Sequence, residues 1–242
     1  IRMAASIQVE SNIAIINGIE QFSGTSVTVP DLRAGAALAK AYPADADLVV
    51  GVPDSGITAA QGFAAESGIP FGLAFYKNSY VGRTFIKPTQ KERESSVRLK
   101  LSVLESAVKG KNIVLVDDSI VRGTQLRETT EFLYQSGAKE VHVRPACPPL
   151  LYGCKFLNFS RSKSEMDLIT RRVIAKREGE NVDDKILADY ADPDSTNYKE
   201  MLEEIRKELN FTTLKYHRLD DLTASIDIEP CKLCTYCWSG KE

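Results

Sequence analysis

One segment constrains this chain more than any other: Ile113-Val-Leu-Val-Asp-Asp-Ser-Ile-Val-Arg-Gly-Thr-Gln125. Ile113 to Val116 form an unbroken apolar run, which reads as a strand buried on both faces. The run ends in Asp117 and Asp118, a loop with Gly123 follows, and helical spacing resumes over Gln125 to Gln135 before Gly137. Open α/β sheets place ligands beyond the carboxyl ends of their strands. A helix N-terminus presents free N–H groups to anions. Ser119, Thr124 and the amides around Gly123 could therefore hold one phosphate. Asp117 and Asp118 would lie beside it, accepting hydrogen bonds from hydroxyls or holding Mg²⁺. A bare pair of aspartates is usually just a solvated turn. The buried-type strand before this pair and the Gly-Thr helix start after it argue for a site.

The surrounding sequence alternates strands and helices. Asp31 to Tyr42 is rich in Ala and Leu and reads as a helix between Pro30 and Pro43. Asp47 to Val52 reads as a short strand, Thr58 to Ser67 as a helix closed by Gly68, and Pro70 to Tyr76 as a strand. Val97, Leu101, Leu104 and Val108 give helical spacing over Ser95 to Val108. Another strand starts at Val141-His-Val143. Alternation with short links predicts a mainly parallel sheet flanked by helices. Beyond Cys154 the chain turns charged and helical, with Asn197 to Leu209 the clearest amphipathic piece and Ala191 to Asp194 a turn. This divides the chain into an unassigned segment 1–24, where Ile13 to Ile16 has strand character, a core 25–160, and an extension 161–242.

Two further segments bear on chemistry. In Gly51-Val-Pro-Asp-Ser-Gly56 the glycines let backbone approach an anion just before a helix. Its Gly-x-x-x-x-Gly spacing is that of a nucleoside-triphosphate loop, but Ile57 stands where that loop needs lysine. No Gly-x-Gly-x-x-Gly occurs, which disfavours a dinucleotide fold. The stretch from Lys77 to Arg93 carries Lys77, Arg83, Lys87, Lys91 and Arg93 with Tyr80 and Phe85 among them. Such a run is often a solvated face; beside two phosphate loops it reads as a closing lid.

Taken together, the three segments resemble type I phosphoribosyltransferases. Val116-Asp-Asp-Ser-Ile-Val-Arg-Gly-Thr124 is similar to the phosphoribosyl-pyrophosphate motif of the glutamine phosphoribosylpyrophosphate amidotransferases. Gly51 to Gly56 is similar to their pyrophosphate loop, and Lys77-Asn-Ser-Tyr-Val-Gly-Arg-Thr-Phe85 to their flexible loop. The likeness is close over residues 25 to 160 and continues to Cys234-Thr-Tyr-Cys237. It implies an α/β type I phosphoribosyltransferase fold with a helical C-terminal extension. It implies a pentosyltransferase of purine biosynthesis in which ammonia displaces pyrophosphate, with Mg²⁺, to give 5-phosphoribosylamine. Pro53, Asp54, Ser55 and Gly56 would bind substrate, as would Asp117, Asp118, Ser119, Ile120, Val121, Arg122, Gly123 and Thr124. Lys77, Tyr80 and Arg83 would act in the closed site. A non-catalytic sensor of phosphoribosyl pyrophosphate and a nucleobase phosphoribosyltransferase are the rival readings. A sensor can dispense with the lid segment, which this chain keeps.

Cys231-Lys-Leu-Cys-Thr-Tyr-Cys237 has the C-x₂-C-x₂-C spacing of iron–sulfur ligation, with Cys154 or Cys147 able to supply a fourth ligand, and four thiolates also suit zinc. Some members of the resembled family hold a 4Fe–4S cluster through cysteines matching Cys154, Cys234 and Cys237. Their fourth ligand lies upstream of Asp31, where this chain has none, so Cys231 is the candidate fourth, with free thiols the alternative. The family's glutaminase domain begins with a catalytic cysteine, whereas residue 1 here is Ile1 and the first cysteine is Cys147. The expectation is a fragment or a stand-alone transferase, served by ammonia or by a separate glutaminase domain or subunit. The family also suggests a homo-oligomer inhibited by purine nucleotides. His142 and His217 belong to no motif. A net charge of −2 gives no general case for nucleic acid or a membrane surface, and no apolar run nears a bilayer's span, so the expected location is cytoplasmic.

Overall fold

The computed structural model describes residues 28–77, 101–154, 165–179, 182–226, 229 and 232–241. At its centre is a parallel sheet in the order β1-β4-β5-β6, formed by β1 (Leu48–Gly51), β4 (Asn112–Asp117), β5 (Glu140–Pro145) and β6 (Thr213–Leu214). Register is continuous, with Val50 opposite Leu115, Leu115 opposite Val143 and Val143 opposite Leu214. Parallel neighbours need crossovers, and helices supply them: α1 (Thr28–Ala41) precedes β1, α2 (Gly56–Ser67) follows it, and α4 (Thr124–Gln135) joins β4 to β5.

Period-two alternation in β4 explains why its apolar run has no polar face. Ile113 and Leu115 join the core that contains Leu126 and Leu133 of α4, Val173 and Ile205. Val114 and Val116 join the opposite core with Leu38 of α1 and Phe63 of α2. All four residues are fully buried. The sheet is thus covered on both faces.

The helical extension consists of a 3₁₀ turn at Glu165–Asp167, α5 (Ile169–Glu178), α6 (Asp184–Ala191), α7 (Thr196–Glu208), α8 (Leu219–Ser225) and α9 (Tyr236–Ser239). Asp183 caps α6 by accepting from Ile186 N–H, and Ser195 caps α7 by accepting from Tyr198 N–H. The extension is built into the sheet, because β6 lies within it and pairs with β5. Val173 and Ile174 of α5 and Met201 and Ile205 of α7 pack into the main core.

Two expectations change. Leu101–Val103 is β3, antiparallel to β2 (Phe75–Lys77), and only Glu105–Val108 is helical, as the one-turn α3. Cross-strand pairing of Phe75 with Val103 outweighs the helical spacing, which a strand of alternating Leu101 and Val103 matches equally well. The strand expected over Pro70 to Tyr76 divides: Phe71 makes a single parallel bridge to Val49 before β2 begins. Ile13 to Ile16 and Ser95 to Lys100 lie outside the described residues. Among the described residues no helix is long and apolar enough to cross a membrane.

Candidate functional site

The carboxyl ends of β1 and β4 bring two of the three sequence segments together. Val52 N–H donates to Val116 O at 2.9 Å, so the loop after β1 is tied to the last turn of β4. The Gly56 backbone lies directly against β4. A Cβ there would stand 2.5 Å from Val116 O and 3.1 Å from the Asp117 Cα, so no larger residue fits without movement. Pro53 and Ser55 are partly buried and Asp54 is exposed, its carboxylate paired with the Lys77 ammonium at the end of β2. The first residue of the expected lid thus meets the 51–56 loop. Tyr80, Arg83, Lys87, Lys91 and Arg93 lie outside the described residues.

Asp117 and Asp118 are 8% and 3% exposed. Asp118 N–H donates to Asp117 Oδ1 at 2.9 Å, and Ser119 N–H to Asp118 Oδ1 at 2.7 Å. Burial, with the neighbouring Asp118 charge second, pushes the Asp117 carboxyl well above the usual carboxylate range. Two adjacent desolvated carboxylates are costly without a cation. Paired hard oxygen donors that leave further coordination positions for a phosphate-bearing ligand fit Mg²⁺.

After the pair, Ile120 is buried and packs in the main core, fixing the loop's course, while Val121 packs partly buried against a second apolar cluster. Gly123 adopts φ +79° as the N-cap of α4, and no side chain caps that helix. Thr124 opens α4 and is exposed. The N–H groups of Arg122, Gly123 and Thr124 have no acceptor among the described residues, leaving them available to an anion. The Arg122 side chain has a partner of its own: its Nη2 donates to Asp167 Oδ2 at 3.0 Å.

Sequence reasoning missed what lies behind the loop. Ile169 N–H donates to Val121 O at 2.9 Å, and Arg172 Nη2 donates to Arg122 O at 2.9 Å. A Cβ on Gly123 would meet Ile169 Cδ1 at 2.7 Å and Leu209 Cδ2 at 2.9 Å. These partners lie tens of residues downstream in ordinary helical sequence, so no local signal marks them.

The cysteines divide. Cys147, Cys154 and Cys237 are buried in one apolar cluster with Trp238, while Cys234 is exposed and Cys231 lies outside the described residues. Leu151 and Tyr152 N–H groups both donate to Cys237 O, at 2.9 and 3.1 Å, so the C-terminal turn docks on the segment leaving β5. Burial first, then the Asp118 charge, pushes the Cys147 thiol well up, which makes it a packing group and not a nucleophile. Among the described residues no three His, Cys, Asp or Glu side chains gather as a metal site. The described thiols therefore do not by themselves fit an iron–sulfur or zinc centre. His142 sits low in β5, its Nδ1 3.0 Å from Thr213 Oγ1. His217 is buried between the carbonyls of Ala34 and Arg218, at 3.0 and 2.9 Å.

The chain is similar to several known proteins. The family model described as a phosphoribosyl transferase domain matches residues 33–147. The chain is 40% identical over 220 residues to the amidophosphoribosyltransferase of Mycobacterium tuberculosis, covering 90% of this chain and 37% of that protein. It is 41% identical over 219 residues to the amidophosphoribosyltransferase of Methanocaldococcus jannaschii, covering 90% of this chain and 40% of that protein. The chain thus spans about two fifths of the length of these relatives. Among solved structures it is similar, at a TM-score of 0.68 and 36% identity, to the glutamine phosphoribosylpyrophosphate amidotransferase of B. subtilis complexed with ADP and GMP. That match covers 90% of this chain and 42% of the other. A structure described as the allosteric regulatory enzyme of purine biosynthesis matches with a TM-score of 0.69, 36% identity and the same coverage.

Proposed function

We propose, on the match of residues 33–147 to the phosphoribosyl transferase domain model and on the similarity to amidophosphoribosyltransferases, that this chain binds 5-phosphoribosyl-1-pyrophosphate and transfers its ribosyl 5-phosphate to ammonia. The observation that carries the reading is the junction of β1 and β4, where the 51–56 loop is pressed against the strand that ends in the buried Asp117–Asp118 pair and leads to an uncapped helix start.

The residues divide the ligand among them. Free N–H groups at Arg122, Gly123 and Thr124, with the Ser119 and Thr124 hydroxyls, take the 5-phosphate. Asp117 and Asp118 face the ribose hydroxyls and would hold Mg²⁺, which when bound would neutralise the departing pyrophosphate. The 51–56 loop supplies backbone to the pyrophosphate, and Lys77 adds a cation beside it. Tyr80 and Arg83 complete the closed lid in this proposal. The bond from C1 to the pyrophosphate oxygen breaks with its electron pair, ammonia nitrogen bonds to C1, and the nitrogen then loses one proton to solvent. Ammonia needs no general base, so positioning and charge stabilisation supply the catalysis.

Delivery of ammonia from a glutaminase unit and inhibition by purine nucleotides extend the same proposal, in keeping with a similar structure described as a glutamine phosphoribosylpyrophosphate amidotransferase complexed with ADP and GMP; self-association is a further part of the proposal. An iron–sulfur or zinc tether at Cys154, Cys231, Cys234 and Cys237 is a further proposal that rests on their spacing. The functional test is pyrophosphate release from phosphoribosyl pyrophosphate and Mg²⁺ with ammonium, glutamine or nucleobases in turn. Ammonium-dependent release that rises with pH, as NH₃ becomes available, supports the reading; release only with a nucleobase replaces it.

A further inference from the structure

The amides that face the proposed phosphate are aimed by groups outside the phosphoribosyl transferase match. In a trans peptide the C=O and the following N–H point in opposite directions. Whatever fixes a carbonyl at the back of the loop therefore aims the next N–H to the front. Ile169 N–H holds Val121 O at 2.9 Å and so sets the Arg122 N–H. Arg172 Nη2 holds Arg122 O at 2.9 Å and so sets the Gly123 N–H.

The holding groups are themselves fixed. Arg172 Nη1 donates to Asp167 O at 3.2 Å, and Arg172 Nη2 stands 3.5 Å from Glu208 Oε1 of α7. Ile169 is fully buried, and the Thr170 hydroxyl donates to Leu150 O, which anchors the first turn of α5 to the segment leaving β5. Gly123 at φ +79° belongs to a conformation in which its peptide planes have few steric restraints of their own. An external hold is what such a peptide needs.

We propose that Arg172 is a positioning residue for the 5-phosphate: through the Arg122 carbonyl it keeps the Gly123 N–H facing the ligand. Ile169 does the same for the Arg122 N–H, and Asp167 steadies the arrangement by pairing with the Arg122 guanidinium. Arg172 touches no substrate. This inference rests on the phosphoribosyl-pyrophosphate reading of the site. It assigns to the helical extension a share in recognising the phosphate end of the substrate, while the pyrophosphate end is served by the 51–56 loop and Lys77, outside that extension.

That asymmetry supplies the test. Binding of ribose 5-phosphate and of inorganic pyrophosphate is measured separately by calorimetry, in Mg²⁺, on the wild-type chain, Arg172→Met and Arg172→Lys, with melting curves for each. Methionine keeps the apolar stem and removes the donors. Lysine keeps the charge near Glu208 but not the two-pronged fork, and it serves as the folded variant if methionine disrupts the chain. Both variants should bind ribose 5-phosphate about tenfold more weakly, equivalent to ~1.4 kcal/mol, and pyrophosphate as the wild type does. Equal loss for both ligands would make the role merely structural and overturn the proposal. Undiminished binding in Arg172→Lys would show that charge alone matters and overturn it too. A wild type that binds neither ligand would overturn the underlying reading of the site, and this proposal with it.

Discussion

Replacing Asp117 by asparagine should raise stability and destroy activity together, an opposition that few structural sites would show. Asp117 is 8% exposed beside the still more deeply buried Asp118, and burial, followed by the Asp118 charge, holds its carboxyl well above the ordinary range. Asparagine keeps Oδ1 as acceptor for the Asp118 N–H, now at 2.9 Å, and its amide can donate to the Asp118 carboxylate. An uncompensated buried polar or charged group costs about 1–3 kcal/mol. For a chain of this size each kcal/mol moves Tm by about 2–4 °C, so a mid-range gain of ~2 kcal/mol is worth about 4–8 °C. The sign follows from linkage. A folded carboxyl pKa above the unfolded value of about 3.9 costs nothing when both states are protonated. It costs progressively more as pH rises through the unfolded value toward the folded one. The stabilisation in Asp117→Asn should therefore be large near pH 7 and shrink toward pH 4. The assay is thermal melting in chelator at both pH values, followed by turnover with Mg²⁺, which should fall at least about tenfold for the loss of one charged contact. A variant that melts lower than wild type at pH 7, or that retains normal turnover, would show that Asp117 is not a strained ligand-binding carboxyl.

Lys77→Ala should lower kcat by about tenfold or more with a smaller change in KM, because the lid is proposed to act on the reacting complex; a change in KM alone would remove that role. Gly56→Ala drives a Cβ to 2.5 Å from Val116 O, so overpacking of about 1–3 kcal/mol should lower Tm and displace the 51–56 loop with loss of pyrophosphate binding; calorimetry with pyrophosphate checks it. Anaerobically purified chain should contain iron and sulfide if Cys231 completes the thiolate set, whereas zinc in one-to-one ratio would assign zinc instead and metal-free protein would dismiss the tether.

The core of the site was legible because its chemistry is local. A buried run ending in Asp117-Asp118 and followed by Gly123-Thr124 states strand, loop and helix start in a dozen residues, and β4 and α4 form there. The Gly51 to Gly56 segment was legible as a backbone-approach loop, but not that Gly56 is pressed against Val116; that contact joins residues sixty apart. Leu101 to Leu104 misled because Leu101, Val103 and Leu104 satisfy both helical and strand spacing, and only pairing with Phe75 decides between them. Edge strand β6 is two residues long and carries no periodicity of its own. Arg122 reads as a substrate contact within the motif, yet its guanidinium is taken by Asp167, and the supports at Ile169 and Arg172 come from another part of the chain.

The ends of β1 and β4 are proposed to form one Mg²⁺-dependent site for phosphoribosyl pyrophosphate. The most direct measurement is calorimetric titration of the chain with phosphoribosyl pyrophosphate, with Mg²⁺ and with chelator, repeated on Asp118→Asn. One-to-one binding that requires Mg²⁺ and weakens about tenfold or more in the variant is predicted, in keeping with the loss of a charge-assisted contact. Binding unaffected by chelator and by Asp118→Asn, or no binding to the folded wild-type chain, would contradict it.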